Sequence, residues 1–474
     1  QDDDIIHVAA GTYVENINYS GKNISIIGED RETTIIDGGQ NGPVVVCSIN
    51  ESGMHFTPVL KSITLTNGVG ENFENYIMGG GVFARNSNPQ LENVLITNCS
   101  AWAGSAIYSY NPVTGDSLSD TTTIKNCVFS GNSAGGDDGT VHAYLSHLKL
   151  VNTLISDNSG GGFFGGGQYN INIINSTIIN NVNDMGVMLS AVTSKIINSI
   201  ISGNESTQLR ILQSCNLTVE YSDIDGGQDS VLVEGDAVLN WGSGNIDVNP
   251  MFVDTANGNY HLKDWSQAIG AGTASGAPTT DIEGNLRPNP AGSNPDMGAY
   301  ENKWGTPQNA PPVLTALSDV SVNEDESITV TLEAINADSA DNDDITFSAS
   351  SEKSEVKLNV GSSSGEVNIS ADENWNGSSI ITVYASDGKD IDSTKFSLKV
   401  NPIQDAPYAF EWVSTASDTI NISQSNLADT YELKWSESKD VDGETIDYLL
   451  SVKIGVYPAE EIYDTTSISV PITY

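Results

Sequence analysis

Within Gly136-Asp137-Asp138-Gly139-Thr140-Val141-His142, two adjacent carboxylates stand four residues before an imidazole. Hydrolysis of a glycosidic bond needs two carboxyl groups facing one bond, and this is the best local source of them. Elimination from a sugar acid needs a Lys or Arg base instead, together with acidic calcium ligands on neighbouring strands; Lys125, Lys149 and Lys195 are the bases to place. A third chemistry is recognition. Phe73, Tyr76, Trp102, Tyr108, Tyr110, Tyr144, Phe163, Phe164 and Tyr169 fall in one stretch. Ring faces stack on the C–H surfaces of sugars, so a glycan-binding strip with Phe73, Tyr76, Trp102, Tyr108 and Tyr110 is one reading. An interior aromatic stack is the other, and the favoured one.

These residues must be positioned by a phrase that the chain repeats. An apolar residue, any residue, Asn, then an apolar run ending near a second Asn appears as Leu91 to Asn98, Ile124 to Asn132, Leu150 to Asn158, Ile173 to Asn181 and Ile196 to Asn204. Looser copies put Ser62 and Tyr221 in the Asn slot, so the slots fall at 62, 93, 126, 152, 175, 198 and 221. A fixed period of this size marks a solenoid. The runs are short, rich in Val, Ile, Thr and Phe and broken by Gly, Asn and Ser, which excludes a helix per repeat. The last three steps, of 23 residues each, suit three strands and three bends, each strand pairing in parallel with its copy one coil on. Asn in one slot fits a bend, because it tolerates the left-handed conformation and its amide can bond to the Asn of the next coil.

On this register Lys125 lies one residue before its slot, while Lys149 and Lys195 each lie three before theirs. Only the last two are aligned, and they are two coils apart. A second recurring element, Gly81-Val-Phe, Gly104-Ser-Ala-Ile, Gly139-Thr-Val, Gly162-Phe-Phe and Gly186-Val-Met, marks another strand. Its spacing places insertions at about Val69 to Met78 and Tyr110 to Asp120, and insertions in a solenoid become loops on its wall, where binding concentrates.

The spacing, the Asn slot and the opening Val8-Ala-Ala-Gly11-Thr-Tyr13-Val-Glu15-Asn16-Ile, followed by Ile24-Ser-Ile-Ile-Gly28 and Thr34-Ile-Ile-Asp37-Gly38, resemble the right-handed parallel β-helix proteins of the pectate-lyase-like superfamily. The resemblance covers about residues 4 to 301 and implies fold more than activity, since that superfamily holds lyases, hydrolases, esterases, epimerases and adhesins. The pair Asp137-Asp138 is faintly similar to the paired Asp of polygalacturonases, but no Asn-x-Asp, Gly-His-Gly or Arg-x-Lys signature accompanies it. The structural reading of Asp137, Asp138 and His142 is therefore favoured.

The balance of 19 Lys plus Arg against 62 Asp plus Glu, a net charge of −43, argues against nucleic acid and anionic membrane surfaces as partners. It also makes a polyanionic substrate awkward unless cations bridge the two. Cys47, Cys99, Cys127 and Cys215 sit at unrelated slots and read as small buried apolar residues. No apolar run near 20 residues is present. The chain starts inside a repeat and stops inside a domain, which reads as a fragment of a secreted or surface protein.

From Asn245 the pattern changes. Asn249-Pro250-Met-Phe252, Gly258-Asn-Tyr260-His-Leu262, Ser266-Gln-Ala-Ile269, Asp281-Ile-Glu-Gly284, Arg287-Pro288 and Asp296-Met-Gly298-Ala-Tyr300-Glu301 resemble the closing segment of bacterial surface β-helix proteins. It is expected to cover the last coil with Phe252, Tyr260, Leu262 and Ile269, with Asp281, Arg287 and Asp296 structural. A Pro-rich joint, Thr306 to Pro312, marks a boundary. Beyond it, short strands with frequent turn signals indicate a sandwich, and Val322-Asn-Glu324-Asp325, Asp338 to Asp344, Asn374-Trp375-Asn376-Gly377 and Asp387-Gly388 resemble bacterial cadherin-like repeats. That resemblance implies calcium held by Glu324, Asp341, Asp343, Asp387 and Asp405, a hard cation being what lets clustered carboxylates coexist. Leu433-Lys-Trp435 and Asp440-Val-Asp442-Gly443-Glu444 resemble a truncated fibronectin-III or Ig-like sandwich, with an ordinary turn the favoured reading of the acidic run.

The expectation is all-β: a right-handed parallel β-helix over 1–244, its closing segment over 245–304, a cadherin-like sandwich over 305–402 and a truncated sandwich over 403–474. The expected role is surface or secreted binding of a polysaccharide or cell-surface glycan, displayed on calcium-stiffened modules. The alternatives are a polysaccharide lyase or glycoside hydrolase acting on the helix wall, and a stalk without ligand.

Overall fold

The computed structural model describes residues 2–48, 56–112, 121–136, 139–336, 344–413, 430–454, 457–463 and 467–471. Asp137, Asp138, Asp341 and Asp343 lie outside these residues. The chain divides into two units, Gln1–Asn309 and Ala310–Tyr474.

The first unit is a parallel β-helix with three faces. Strands such as Thr121–Lys125, His147–Val151, Asn170–Ile174 and Thr193–Ile197 pair in parallel register to form the first face. Val128–Ser130, Leu154–Ser156, Thr177–Ile179 and Ile200–Ser202 form the second. The third is a 9-stranded sheet that runs from Ile17–Asn18 through Val82–Arg85, Ile107–Tyr110, Val141–Tyr144, Phe163–Gly166 and Val187–Ser190 to Leu232–Val233. Inward positions stack identical chemistry coil on coil. Leu91, Ile124, Leu150, Ile173, Ile196 and Val219 form one buried column, each contributing about 1.5–3 kcal/mol by leaving water.

The Asn slot is the bend between the first and second faces. Ser62, Asn93, Asn126, Asn152, Asn175, Asn198 and Tyr221 all adopt the left-handed conformation, with φ of 54°, 55°, 55°, 46°, 44°, 51° and 46°. Side-chain amides link coils there: Asn152 Nδ2 donates to Asn126 Oδ1 at 3.1 Å and Asn198 Nδ2 to Asn175 Oδ1 at 3.2 Å. The second Asn of the phrase turns inward. Asn132, Asn158, Asn181 and Asn204 form a buried column in which each Nδ2 donates to the next residue along, at 3.1, 2.9, 2.9 and finally 2.7 Å to Gln208 Oε1. Cys99 takes the same position one coil earlier, its N–H donating to Asn132 Oδ1 at 3.0 Å. All four cysteines are free and buried.

The closing segment follows a different course from the one its sequence suggests. Rather than Phe252, Tyr260, Leu262 and Ile269 covering the last coil, they pack along the outside of the second face. Leu154 and Ile179 meet Tyr260, Ile282 and Ala299, and Ile200 meets Leu262, Ala268, Ile269 and Met297. The bend amides hold the segment down. Asn152, Asn175 and Asn198 donate to the carbonyls of Thr280, Asp296 and Thr273 at 2.6, 3.1 and 2.8 Å. In the last coil Leu232, Val233 and Val238 stay exposed. The physical reason lies in the strands: Leu154-Ile155, Ile178-Ile179 and Ile200-Ile201 are apolar on both sides, so their outer surface needs a cover of its own.

In the second unit, Val320–Asn323, Ile391–Asn401, Gly377–Ser386 and Thr346–Ser351 form one sheet and Ser327–Thr331, Glu366–Ala371 and Val356–Val360 the other. Val367, Ile369, Ile381, Val383, Phe396 and Leu398 fill the space between them. Further along, the Thr430–Lys434/Ser467–Pro471 and Tyr448–Ile454/Tyr457–Tyr463 pairs follow, with Trp435 and Tyr448 buried near Phe410 and Trp412.

Candidate functional site

The third face puts alternate residues outward, since strand side chains have a period of two. Val82, Ile107, Val141 and Phe163 point into the core, so Phe83, Tyr108, His142 and Phe164 stand outside in register. The rings stack along the coil axis. Phe83 to Tyr108 is 5.8 Å at 7°, Tyr108 to His142 is 5.1 Å at 22°, and His142 to Phe164 is 4.5 Å at 20°. A second column beside it sets Tyr110 against Tyr144 at 6.1 Å. Sequence favoured an interior stack; the stack exists, but on the outer wall.

The insertion between Val69 and Met78 is a two-stranded antiparallel hairpin, Glu71–Phe73 and Tyr76–Met78. One strand lays Phe73 against Phe83, Tyr108 and Tyr110 at 5.9, 6.2 and 5.3 Å, with the Arg85 guanidinium 5.1 Å from the Phe73 ring. The other brings Tyr76 to Trp102 at 5.4 Å. Trp102 in turn lies against Gly136, where even a Cβ would fall 2.7 Å from the indole.

Stacking has a consequence for binding. A ring whose two faces meet other rings has none left for a sugar. Phe83, Tyr108 and His142 are buried, and His142 is a member of the stack. Of the five residues proposed for ligand binding, Tyr108 is therefore structural, and Phe73 and Tyr110 buttress it. Tyr76, Trp102 and Tyr144 remain open, at 49%, 42% and 41% exposure. Burial and the nearby Glu74 carboxylate push the Tyr110 hydroxyl above its ordinary range.

The candidate bases lie on the first face. Lys149 and Lys195 flank Asn172 in register. Lys195 pairs with Glu220 at 2.8 Å, and Lys61 and Lys125 reach Glu92 at 3.0 and 3.8 Å. These pairs supply charge balance along an exposed surface. The closing segment contains a buried ion pair, Arg287 Nε to Glu301 Oε2 at 2.8 Å, with both side chains fully buried. Asp296 and Asp281 are buried beside it. Desolvation, reinforced by the Glu301 charge, raises Asp296 to about 8. Asp281 accepts the N–H groups of Glu283, Asn285 and Glu301. This network fixes the fold of the segment, as its sequence suggests.

In the second unit, Glu324, Asp405 and Asp442 each offer one oxygen, all within 4.8 Å of one another. Glu324 is buried and accepts from Ile403 N–H and Asn376 Nδ2. Asp442 Oδ2 accepts the Asp405 N–H at 2.8 Å, and Asp440 Oδ1 shapes the loop by accepting from the N–H groups of Asp442 and Glu444. Asp405 Oδ2 is buried without a hydrogen-bond partner among the described residues. Desolvation and the carboxylates of Asp325, Asp442, Glu324 and Asp440 raise the Asp405 pKa. Clustered carboxylate oxygens of this kind are the donor type that hard cations take. Asp387 is used differently: its Oδ1 accepts the N–H groups of Lys389 and Asp390 at a hairpin turn. The acidic run at Asp440 to Glu444 makes the expected turn and also delivers Asp442 to the cluster.

Residues 113–262 match the family described as right handed beta helix region, and residues 309–399 match the bacterial Ig domain family. The metabotropic glutamate receptor-like protein P of Dictyostelium discoideum is 34% identical over 110 residues, 23% of this chain and 7% of that protein, so the chain spans a small part of that relative's length. A crystal structure of titin domains covers 35% of this chain and 56% of its own at 14% identity and a TM-score of 0.16, a likeness that carries no argument. Among the described residues no helix is long and apolar enough to cross a membrane.

Proposed function

From a chain that carries a right-handed β-helix followed by a bacterial Ig-like sandwich, an architecture of surface and carbohydrate-related proteins, we propose an extracellular or surface-borne polysaccharide-binding module. The open rings of the third face and its hairpin carry this reading. Tyr76 and Trp102 form one platform, packed on each other with Trp102 against Gly136, and Tyr144 forms another beside Tyr110 and His142. Preset aromatic faces bind at low entropic cost, and the C–H faces of an extended glycan are their natural partner. Net charge favours a neutral glycan over a polyanionic one.

We further propose that the second unit binds a calcium ion. Glu324, Asp405 and Asp442 would hold it, and its chemistry is charge neutralisation that locks three carboxylates together. In this reading calcium stiffens the display of the helix.

The test is affinity electrophoresis and size exclusion against neutral and acidic polysaccharides, in calcium and in chelator. Co-elution of intact chains, weakened at least tenfold by the pair Tyr76→Ala and Trp102→Ala, is the expected result. Binding untouched by that pair and by Tyr144→Ala would move the site elsewhere, and shortened chains would establish an enzyme.

A further inference from the structure

The bend that ends each strand of the second face carries Gly131, Asp157, Asn180, Gly203 and Gly226 in successive coils, all left-handed, with φ of 66°, 57°, 53°, 63° and 80°. At two of these slots the side chains are capped by the closing segment. The Tyr260 hydroxyl donates to Asp157 Oδ2 at 2.6 Å and accepts from Asn180 Nδ2 at 3.2 Å. At the next slot the residue is Gly203, where a Cβ would meet only Asn180 and Ile179 among the described residues, so the wall recedes; one coil on, Ser230 fills the space beside Gly226. A cleft of about 510 Å³ opens at Gly203, with Asn180, Ser202, Asp225, Asp247, Phe252 and Lys263 in its lining.

The polar groups of this cleft are preset. Asp225 Oδ2 accepts the Gly203 N–H at 3.2 Å, and Asp247 Oδ1 accepts the Gly226 N–H at 2.9 Å. Each carboxylate is thereby oriented by backbone and keeps a second oxygen. Beside the cleft Asp223 is fully buried; its Oδ1 accepts the Val248 N–H at 3.1 Å, and its Oδ2 has no hydrogen-bond partner among the described residues.

We propose that this cleft is a second binding site, separate from the aromatic wall, for a neutral sugar of one or two hexose units. Oriented carboxylate oxygens accept sugar hydroxyls, the Asn180 amide and Lys263 ammonium donate to them, and Phe252 offers an apolar surface for C–H groups. The volume lies in the range of small-ligand sites. An anionic ligand is repelled by two carboxylates. A bare cation is poorly matched, since the three carboxylates that close on one point among the described residues are those of the second unit.

The test is calorimetric or saturation-transfer titration of the full chain with glucose, galactose, mannose and their β1,4-linked disaccharides. One of them should bind. Gly203→Asn introduces the residue that the preceding coil carries at this slot, so the left-handed bend is retained while an amide enters the cleft. It should weaken that sugar at least tenfold in protein that still folds, as circular dichroism checks. Asp225→Asn, which keeps an acceptor for the Gly203 N–H, should weaken it as well. Trp102→Ala should leave it alone, which separates this site from the third face. The proposal is overturned if no sugar saturates below about 10 mM, if binding survives both Gly203→Asn and Asp225→Asn in folded protein, or if Trp102→Ala abolishes it.

Discussion

Tyr260 donates its hydroxyl hydrogen to Asp157, 103 residues earlier, at 2.6 Å, and this bond pins the closing segment to the middle of the helix rather than to its end. Tyr260 is buried against Leu154, Ile179 and Ile282. Tyr260→Phe leaves the packing and removes both the bond to the Asp157 carboxylate and the one from Asn180, which should cost about 2–4 kcal/mol. Tyr260→Ala also opens a cavity and should cost about 3–5 kcal/mol. Denaturant melts of the first unit check both, and a Tyr260→Phe variant as stable as its parent would mean that the hydroxyl contributes nothing.

Arg287 and Glu301 are a fully buried pair. Arg287→Met strands Glu301 among Asp281 and Asp296 and should destabilise the first unit by about 3–5 kcal/mol. Adding Glu301→Gln should recover part of that loss. A double variant no better than the single one would show that the guanidinium acts through packing alone.

Asp223 supplies a pH dependence. Desolvation first, then the charges of Asp247 and Asp225, raise it from 3.8 to about 7. The folded protein therefore keeps a proton that the unfolded chain has released, so this residue's stabilisation is complete below about pH 4 and lost as pH rises to about 7. Asp223→Asn removes the titration and keeps an acceptor for Val248. Its melting temperature should exceed that of the parent at pH 8, by the equivalent of about 2–4 kcal/mol, and match it near pH 4. A constant difference across pH would show that Asp223 is not the group involved.

Calcium should raise the unfolding transition of the second unit by about 2.7 kcal/mol at one hundred times its dissociation constant. Asp442→Asn should remove most of that gain while leaving the chelated protein as stable as its parent or more so, because it removes one repelling charge. A transition indifferent to calcium would end the stiffening role.

Much of the helix was legible because its constraints are local. A residue that must adopt positive φ in every coil narrows to Asn and a few others, and even Ser62 and Tyr221, which break the pattern, keep the conformation. The course of the closing segment depends on contacts with outward residues far back in the chain. Its signal was present in Leu154-Ile155, Ile178-Ile179 and Ile200-Ile201, where apolar residues occupy both faces and alternation fails. Period two also places Phe163 inside and Phe164 outside. What it does not show is that Phe73, from an inserted hairpin, closes over the outer column and leaves Tyr76 and Trp102 open. Asp442 was hidden for another reason: Gly443 already accounts for a turn, and only the approach of Asp405 makes its carboxylate part of a cluster.

The two amide columns of the helix run in opposite senses. Inside, each Asn donates toward the following coil until Gln208 closes the series by donating to the Asn204 carbonyl at 3.0 Å; at the bend, Asn152 and Asn198 donate toward the preceding one. Amide dipoles in a row polarise one another, so each column alone would place opposite partial charges at the two ends of the coil stack. The bend series is broken where Asn175 donates to the Asp296 carbonyl instead, so its two links oppose the inner column only locally, and the solenoid gains coil-to-coil hydrogen bonds in both directions.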